Sequence, residues 1–205
     1  MSRFTGPRLK IMRALGVDLP GLSRKTIASR PTPPGQHGAK LVRRRKSDFG
    51  IKLQEKQKLR FNYGLSERQL RHLMLNARKS TEPTGETLLQ LLERRLDNVV
   101  FRAGFAPTVI AARQLVSHRH VRLNGKPVNI PSIRLNVGDE ITIKPESLNL
   151  PIVLGTLQDL PLSRPEWLLW DEKDKTGKIT HLPTAEDVPF PIDVQQVVEY
   201  YANRM

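Results

Sequence analysis

The sequence predicts an α+β fold: an N-terminal helical domain with an extended basic arm, and an inserted module of two helices and a small antiparallel sheet. Three observations carry it. Apolar residues recur at helical spacing between residues 48 and 103. Asn124-Gly125, the pair that best tolerates a type I′ turn, stands between two short strand-like runs. Val194, Val197, Val198 and Tyr201 then return to helical spacing near the end of the chain.

Residues 1–46 read as an anchored, extended arm. The 205 residues carry 34 Lys and Arg against 20 Asp and Glu, a net charge of +14 that points to a polyanionic partner. That excess is concentrated: residues 1–60 hold 16 basic and 3 acidic side chains, whereas residues 146–205 hold 5 and 10. Pro20, Pro31, Pro33 and Pro34 punctuate the arm. Its composition suits a disordered tail equally well, but Leu9, Ile11, Met12, Leu15, Val17 and Leu19 give it something to bury, so folding on RNA reconciles the two readings. The candidate phosphate contacts here are Arg3, Arg8, Lys10, Arg13, Arg24 and Lys25, with Gln36 and His37. Gly35-Gln36-His37-Gly38 imitates the GXXG loop of a KH domain, yet nothing around it supplies that fold, and a tight turn is the better reading.

The helical domain covers 47–91 and is completed by a C-terminal helix over 193–203. A helix through 48–62 aligns Lys52, Lys56 and Arg60 along one basic side. Ser66 and Gln69 form a capping box for the next helix, whose Leu70, Leu73, Met74 and Ala77 make a core stripe while Arg68, Arg71, His72 and Lys79 face elsewhere. Glu82-Pro83-Thr84-Gly85 breaks the chain, and a helix is predicted from Glu86 to Ala103, ended by Gly104.

The module spans 92–155. Thr108 caps its second helix, with Ala112, Leu115 and Val116 on one side and Arg113, Gln114, Ser117 and His118 on the other. Val121-Arg122-Leu123 and Lys126-Pro127-Val128 form the Asn-Gly hairpin, and Pro127 implies an edge strand. A turn at Asn136-Val137-Gly138-Asp139 precedes the alternating strand 140–144. Residues 156–192 read as a hairpin, Trp167 to Ile179, and an acidic connection. Arg95, Arg102, Arg113, Gln114, Ser117, His118, His120 and Lys126 define a polar face nearly without acids. Any one of them is more often merely solvated; together they favour phosphate binding.

Other chemistries find little support. No cysteine is present, so there is no disulfide framework or thiol nucleophile. No run approaches the ~18 apolar residues of a membrane span, and the first residues lack a secretory core. His118 and His120 have no further ligand nearby to complete a zinc site, and no catalytic triad assembles from spacing. The expectation is therefore no metal, no cofactor, no small-molecule substrate, no membrane and no catalysis.

Leu92 to Arg102, Ala112 to His118 and Val121 to Gly125 together resemble the S-four type RNA-binding module. Pro34 to Gly38, Ser47-Asp48-Phe49-Gly50, Leu53 to Lys58 and Val197 to Tyr201 extend the resemblance to the family of small-subunit ribosomal protein S-four over essentially the whole chain. Leu19-Pro20-Gly21-Leu22 looks closer to its cyanobacterial and plastid branch. The resemblance implies binding to the five-helix junction in the 5′ domain of small-subunit rRNA, contact with ribosomal protein S-five, and a place near the mRNA entry channel in cytoplasm or plastid stroma. Lys40, Arg43, Arg44, Arg45 and Lys46 match the family's basic segment beside incoming mRNA. Some members hold zinc through four N-terminal cysteines, absent here.

Arg95-Leu96-Asp97 is similar to the catalytic triplet of some pseudouridine synthases. Only 75 residues follow residue 130, too few for that catalytic domain, and Asp97 is better read as an ion-pair partner of a nearby Arg such as Arg94. A free RNA chaperone with the same module, or an RNA-modifying protein, is the alternative reading.

Overall fold

A computed structural model describes residues 5–41 and 46–202. In chain order the helices of the first half are α1 (Arg8–Leu15), α2 (Gly38–Leu41), α3 (Asp48–Asn62), α4 (Glu67–Ala77) and α5 (Thr84–Glu93). Then come α6 (Leu96–Arg102), α7 (Val109–Ser117), β1 (Val121–Leu123), β2 (Lys126–Pro127) and β3 (Glu140–Ile143). The remainder is α8 (Pro145–Leu148), α9 (Pro151–Gln158), β4 (Leu168–Asp171), β5 (Thr176–Ile179) and α10 (Val194–Ala202). Two compact units emerge: residues 1–88 with 190–205, and residues 89–189.

In the first unit α10 lies on α3 and α4. The predicted capping box is present, with Ser66 Oγ accepting from the Gln69 N–H and Gln69 Oε1 accepting from the Ser66 N–H. It points Leu70, Leu73, Met74 and Ala77 inward, against a core that includes Leu59, Tyr63, Val197 and Tyr201. Each such side chain contributes about 1.5–3 kcal/mol relative to exposure. The arm departs from the extended form expected of it. Residues 8–15 are helical, Met12, Leu15, Leu19 and Leu22 are buried, and Asn62 Oδ1 accepts from the Gly21 N–H at 3.0 Å. These four side chains find their partners within the chain.

In the second unit α6 and α7 pack on one face of a five-stranded antiparallel sheet of order β2-β1-β3-β5-β4. Alternation puts Val121, Ile141, Ile143, Leu168 and Ile179 on the buried face. Pro127 lies in the edge strand β2, as its missing N–H requires. Asn124 and Gly125 both take positive φ, 49° and 76°, in the β1–β2 turn. The Trp167–Ile179 hairpin, set apart at residue 156 by the sequence reading, instead joins the module's sheet through β3 and β5, with Ile141 opposite Gly177.

The single helix predicted over 86–103 is two helices. Arg95 is extended (φ −68°, ψ 136°), and loop 131–135 takes over the local hydrogen bonds: Leu96 N–H to Ile133 O at 2.8 Å, Asp97 N–H to Pro131 O at 3.1 Å and Leu135 N–H to Arg94 O at 2.9 Å. The carbonyls of Ile133 and Pro131, far along the chain, replace those of the preceding turn and satisfy donors at the start of α6.

Candidate nucleic-acid interface

In the first unit the capping box that buries one side of α4 leaves Arg68, Arg71, His72, Arg78 and Lys79 exposed on the other. Arg68 and Arg71 stand three residues apart, the spacing of neighbours on a helix surface, and Arg78 and Lys79 follow just past the helix end. The stripe predicted on α3 is a correction. Lys56 is buried, its ammonium 2.7 Å from Glu67 and 4.8 Å from the Tyr200 ring centroid. Lys52 pairs with Glu199 at 2.8 Å, and Arg60 donates to Gln57 Oε1 at 3.3 Å. Lys56 thus ties α3 to α4 and α10, and Lys52 ties α3 to α10, whereas the Arg60 bond stays within α3.

The arm divides in the same way. Arg13 Nε donates to Thr32 O at 2.9 Å, and Arg8 to Leu22 O at 3.4 Å, so both fasten the segment. Lys10, Arg24, Lys25, Gln36, His37 and Lys40 are exposed, with Gln36 and His37 in the turn closed by the Gly38 N–H on Gly35 O. Exposed Lys46 donates to Gln54 Oε1. Arg3, Arg43, Arg44 and Arg45 lie outside the described residues.

In the second unit Asp97 is fully buried and accepts from Arg95 (3.0 and 2.8 Å) and from Arg113 (3.0 and 2.7 Å). Its partners are thus Arg95 and Arg113, in place of the Arg94 expected from sequence; Arg94 instead binds Leu135 O and Asn136 Oδ1. Burial first, then the Arg134 guanidinium, lowers the pKa of Arg94, while Asp139 opposes both. Two cations crowd this corner. Arg95 and Arg102, predicted on the RNA-facing side, are buried; Arg102 lies 3.8 Å from buried Glu93 and donates to Asp187 O. Both guanidiniums are thus engaged within the folded chain, although Arg102 Nε itself has no hydrogen-bond partner.

Of the residues predicted for the polar face of this unit, Gln114, His118 and Lys126 are exposed and Arg113 partly so. Thr108 caps α7 by accepting from the Ala111 N–H. The Ser117 hydroxyl is buried with no partner, and His120 Nδ1 lies 2.8 Å from Ser147 Oγ. Among the described residues no group of His, Cys, Asp or Glu gathers as metal ligands do, and no helix is long and apolar enough to cross a membrane. The arrangement binds anions through lysine and arginine; nothing in it assembles a nucleophile with a base. Sequence reasoning missed the Arg94–Arg134 corner, which has no local signal because loop 131–135 creates it.

A family model described as the ribosomal protein S4/S9 N-terminal domain matches residues 3–93, and one described as the S4 domain matches residues 94–141. Small ribosomal subunit protein uS4 of Methylobacillus flagellatus is 77% identical over the whole of both chains. That of a Synechococcus strain is 49% identical over the whole of both, and that of Porphyromonas gingivalis 44%, over 99% of this chain and all of the relative. The higher identity to the Methylobacillus protein than to the Synechococcus one does not favour the cyanobacterial or plastid affinity expected from Leu19-Pro20-Gly21-Leu22.

Proposed function

This chain belongs to the uS4 family of small ribosomal subunit proteins, and we propose that, as a structural, rRNA-binding constituent of that subunit, it is the primary binder that organises the five-helix junction of the 5′ domain during assembly. The observation that carries this reading is the sorting of cations by the fold. Lys56, Arg95 and Arg102 are themselves buried and engaged within the chain, while Arg68, Arg71 and Lys126 stand exposed on pre-formed elements. Cations held on rigid helices and turns neutralise phosphates at set positions and so fix RNA helices relative to one another. Readout of base sequence is secondary, since side chains do not enter the narrow major groove of A-form RNA. Aromatic residues, at 5%, are too few for a stacking platform. The role is non-catalytic.

The same reading includes ribosomal protein S-five as a neighbour, mRNA at the entry channel beside Lys40 and the basic run 43–46, and residence in the cytoplasm or plastid stroma. Footprinting of small-subunit rRNA with the purified protein, across a salt series and against competitor RNA, tests the main claim. Protection at one multi-helix junction that survives competitor supports it; diffuse protection that competitor abolishes overturns it in favour of a free RNA chaperone. Alanine at Arg43, Arg44, Arg45 and Lys46 together is expected to impair unwinding of structured mRNA, and unchanged unwinding removes the entry-channel role.

A further inference from the structure

α7 ends in a complete Schellman turn. The His120 N–H donates to Leu115 O at 3.0 Å and the Arg119 N–H to Val116 O at 2.9 Å. The residue that turns left-handed at this point is ordinarily glycine, because a Cβ crowds the neighbouring carbonyl there. Here it is Arg119, at φ 62°. Among the described residues two other non-glycine residues share the left-handed region, and both have local accounts: Asn124 is of a type that tolerates it, and Lys175 reaches Glu172 at 2.9 Å across its own turn. Arg119 is exposed.

Exposed His118 and half-buried His120 flank it, their rings 6.1 Å apart. The Lys144 N–H donates to His120 O at 2.9 Å, which brings a lysine to the same corner; exposed Glu146 follows two residues on. Both turn hydrogen bonds are backbone to backbone, so glycine at 119 would keep them and relieve the strain. A long cation at a position the backbone favours for glycine is explained by what its guanidinium does, not by what it adds to the fold.

We propose that Arg119 is a phosphate-binding residue of the RNA interface, presented at the α7–β1 corner by this left-handed turn. The assignment rests on the rRNA-binding reading above. A guanidinium suits the task because its planar donors engage two phosphate oxygens at once.

The test compares the full-length protein with Arg119→Gly, Arg119→Lys and Lys175→Gly. Thermal unfolding and filter binding to small-subunit rRNA are measured for each between roughly 50 and 200 mM KCl. Arg119→Gly is expected to melt at a higher temperature yet bind more weakly, with a plot of log affinity against log salt shallower by about 0.7–0.9, one phosphate's worth. Arg119→Lys restores most of that slope, and Lys175→Gly leaves it as in the parent. Parental affinity and slope in Arg119→Gly, or an equal loss in Lys175→Gly, overturns the assignment while leaving rRNA binding intact. A parent protein with no preference for small-subunit rRNA over competitor overturns the underlying reading, and this one with it.

Discussion

Arg113 on α7 donates twice to the buried carboxylate of Asp97 on α6, at 3.0 and 2.7 Å, and so ties these two helices of the second unit together. Arg95 reaches the same carboxylate from the N-terminus of α6. Removing the acid strands one buried and one partly buried guanidinium. Asp97→Ala is therefore expected to cost about 3–5 kcal/mol, the range for breaking a buried pair. Urea unfolding measures it, and a loss under about 1 kcal/mol would show that the cluster relaxes by admitting water.

Gly104 stands at φ 91°, where a Cβ would come within 2.3 Å of Leu160 Cδ2. A side chain there is strained by conformation, and Leu160 would also have to turn aside. Gly104→Ala should destabilise by about 1–2 kcal/mol through the left-handed backbone, read as a lower urea midpoint with an unchanged denaturant slope.

The closing helix α10 supplies a pH dependence at each end of the scale. Burial raises the pKa of the Glu67 carboxyl, but hydrogen bonds from Lys56 and Tyr201 outweigh it, and the net pKa falls below the ordinary 4.5. A depressed folded pKa means that this contribution is present above about pH 4.5 and is lost as the pH falls through the folded value. Burial first, then Glu67, pushes Tyr201 well above its ordinary 10.0, so its contribution is full below pH 10.0 and declines as the pH rises beyond it. Glu67→Gln should flatten the acid limb of stability against pH, and Tyr201→Phe the alkaline limb. Chemical unfolding across both ranges checks the pair, and unaltered limbs would count against these partners.

Exposed cations and buried ones should separate in RNA binding. If about six to ten phosphates are neutralised, affinity falls on the order of 10³–10⁵-fold between roughly 50 and 200 mM salt. Arg68→Ala with Arg71→Ala should weaken binding and make the slope shallower by about 1.4–1.8 while leaving the fold intact. Lys56→Ala should chiefly lower stability, since its ammonium is already engaged. A flat salt response in the parent protein would remove the electrostatic mechanism.

Local chemistry made much of the fold legible. Ser66 with Gln69, Thr108, Asn124-Gly125 and Pro127 each solve a backbone problem within a few residues, and each stands where its pattern placed it. The candidate site was legible as a set of basic residues, but not in its division between Arg68, which is exposed, and Arg95, which is buried.

Charge, helical period, caps and turn pairs belong to short stretches of chain, and from them the sequence by itself determined the α+β class, the basic partner-binding character and the position of most elements. The tertiary structure alone decided which cations stay available. Lys56 meets Glu67 because α3 and α4 come together, and Tyr200 because α10 returns to both; Arg113 meets Asp97 only because α6 and α7 pack together; the helix predicted over 86–103 breaks at Arg95 only because loop 131–135 arrives with its own carbonyls. In each case the partner lies well beyond the reach of local periodicity, and the energy of burying a charge or a backbone donor is settled by whatever the fold brings to it.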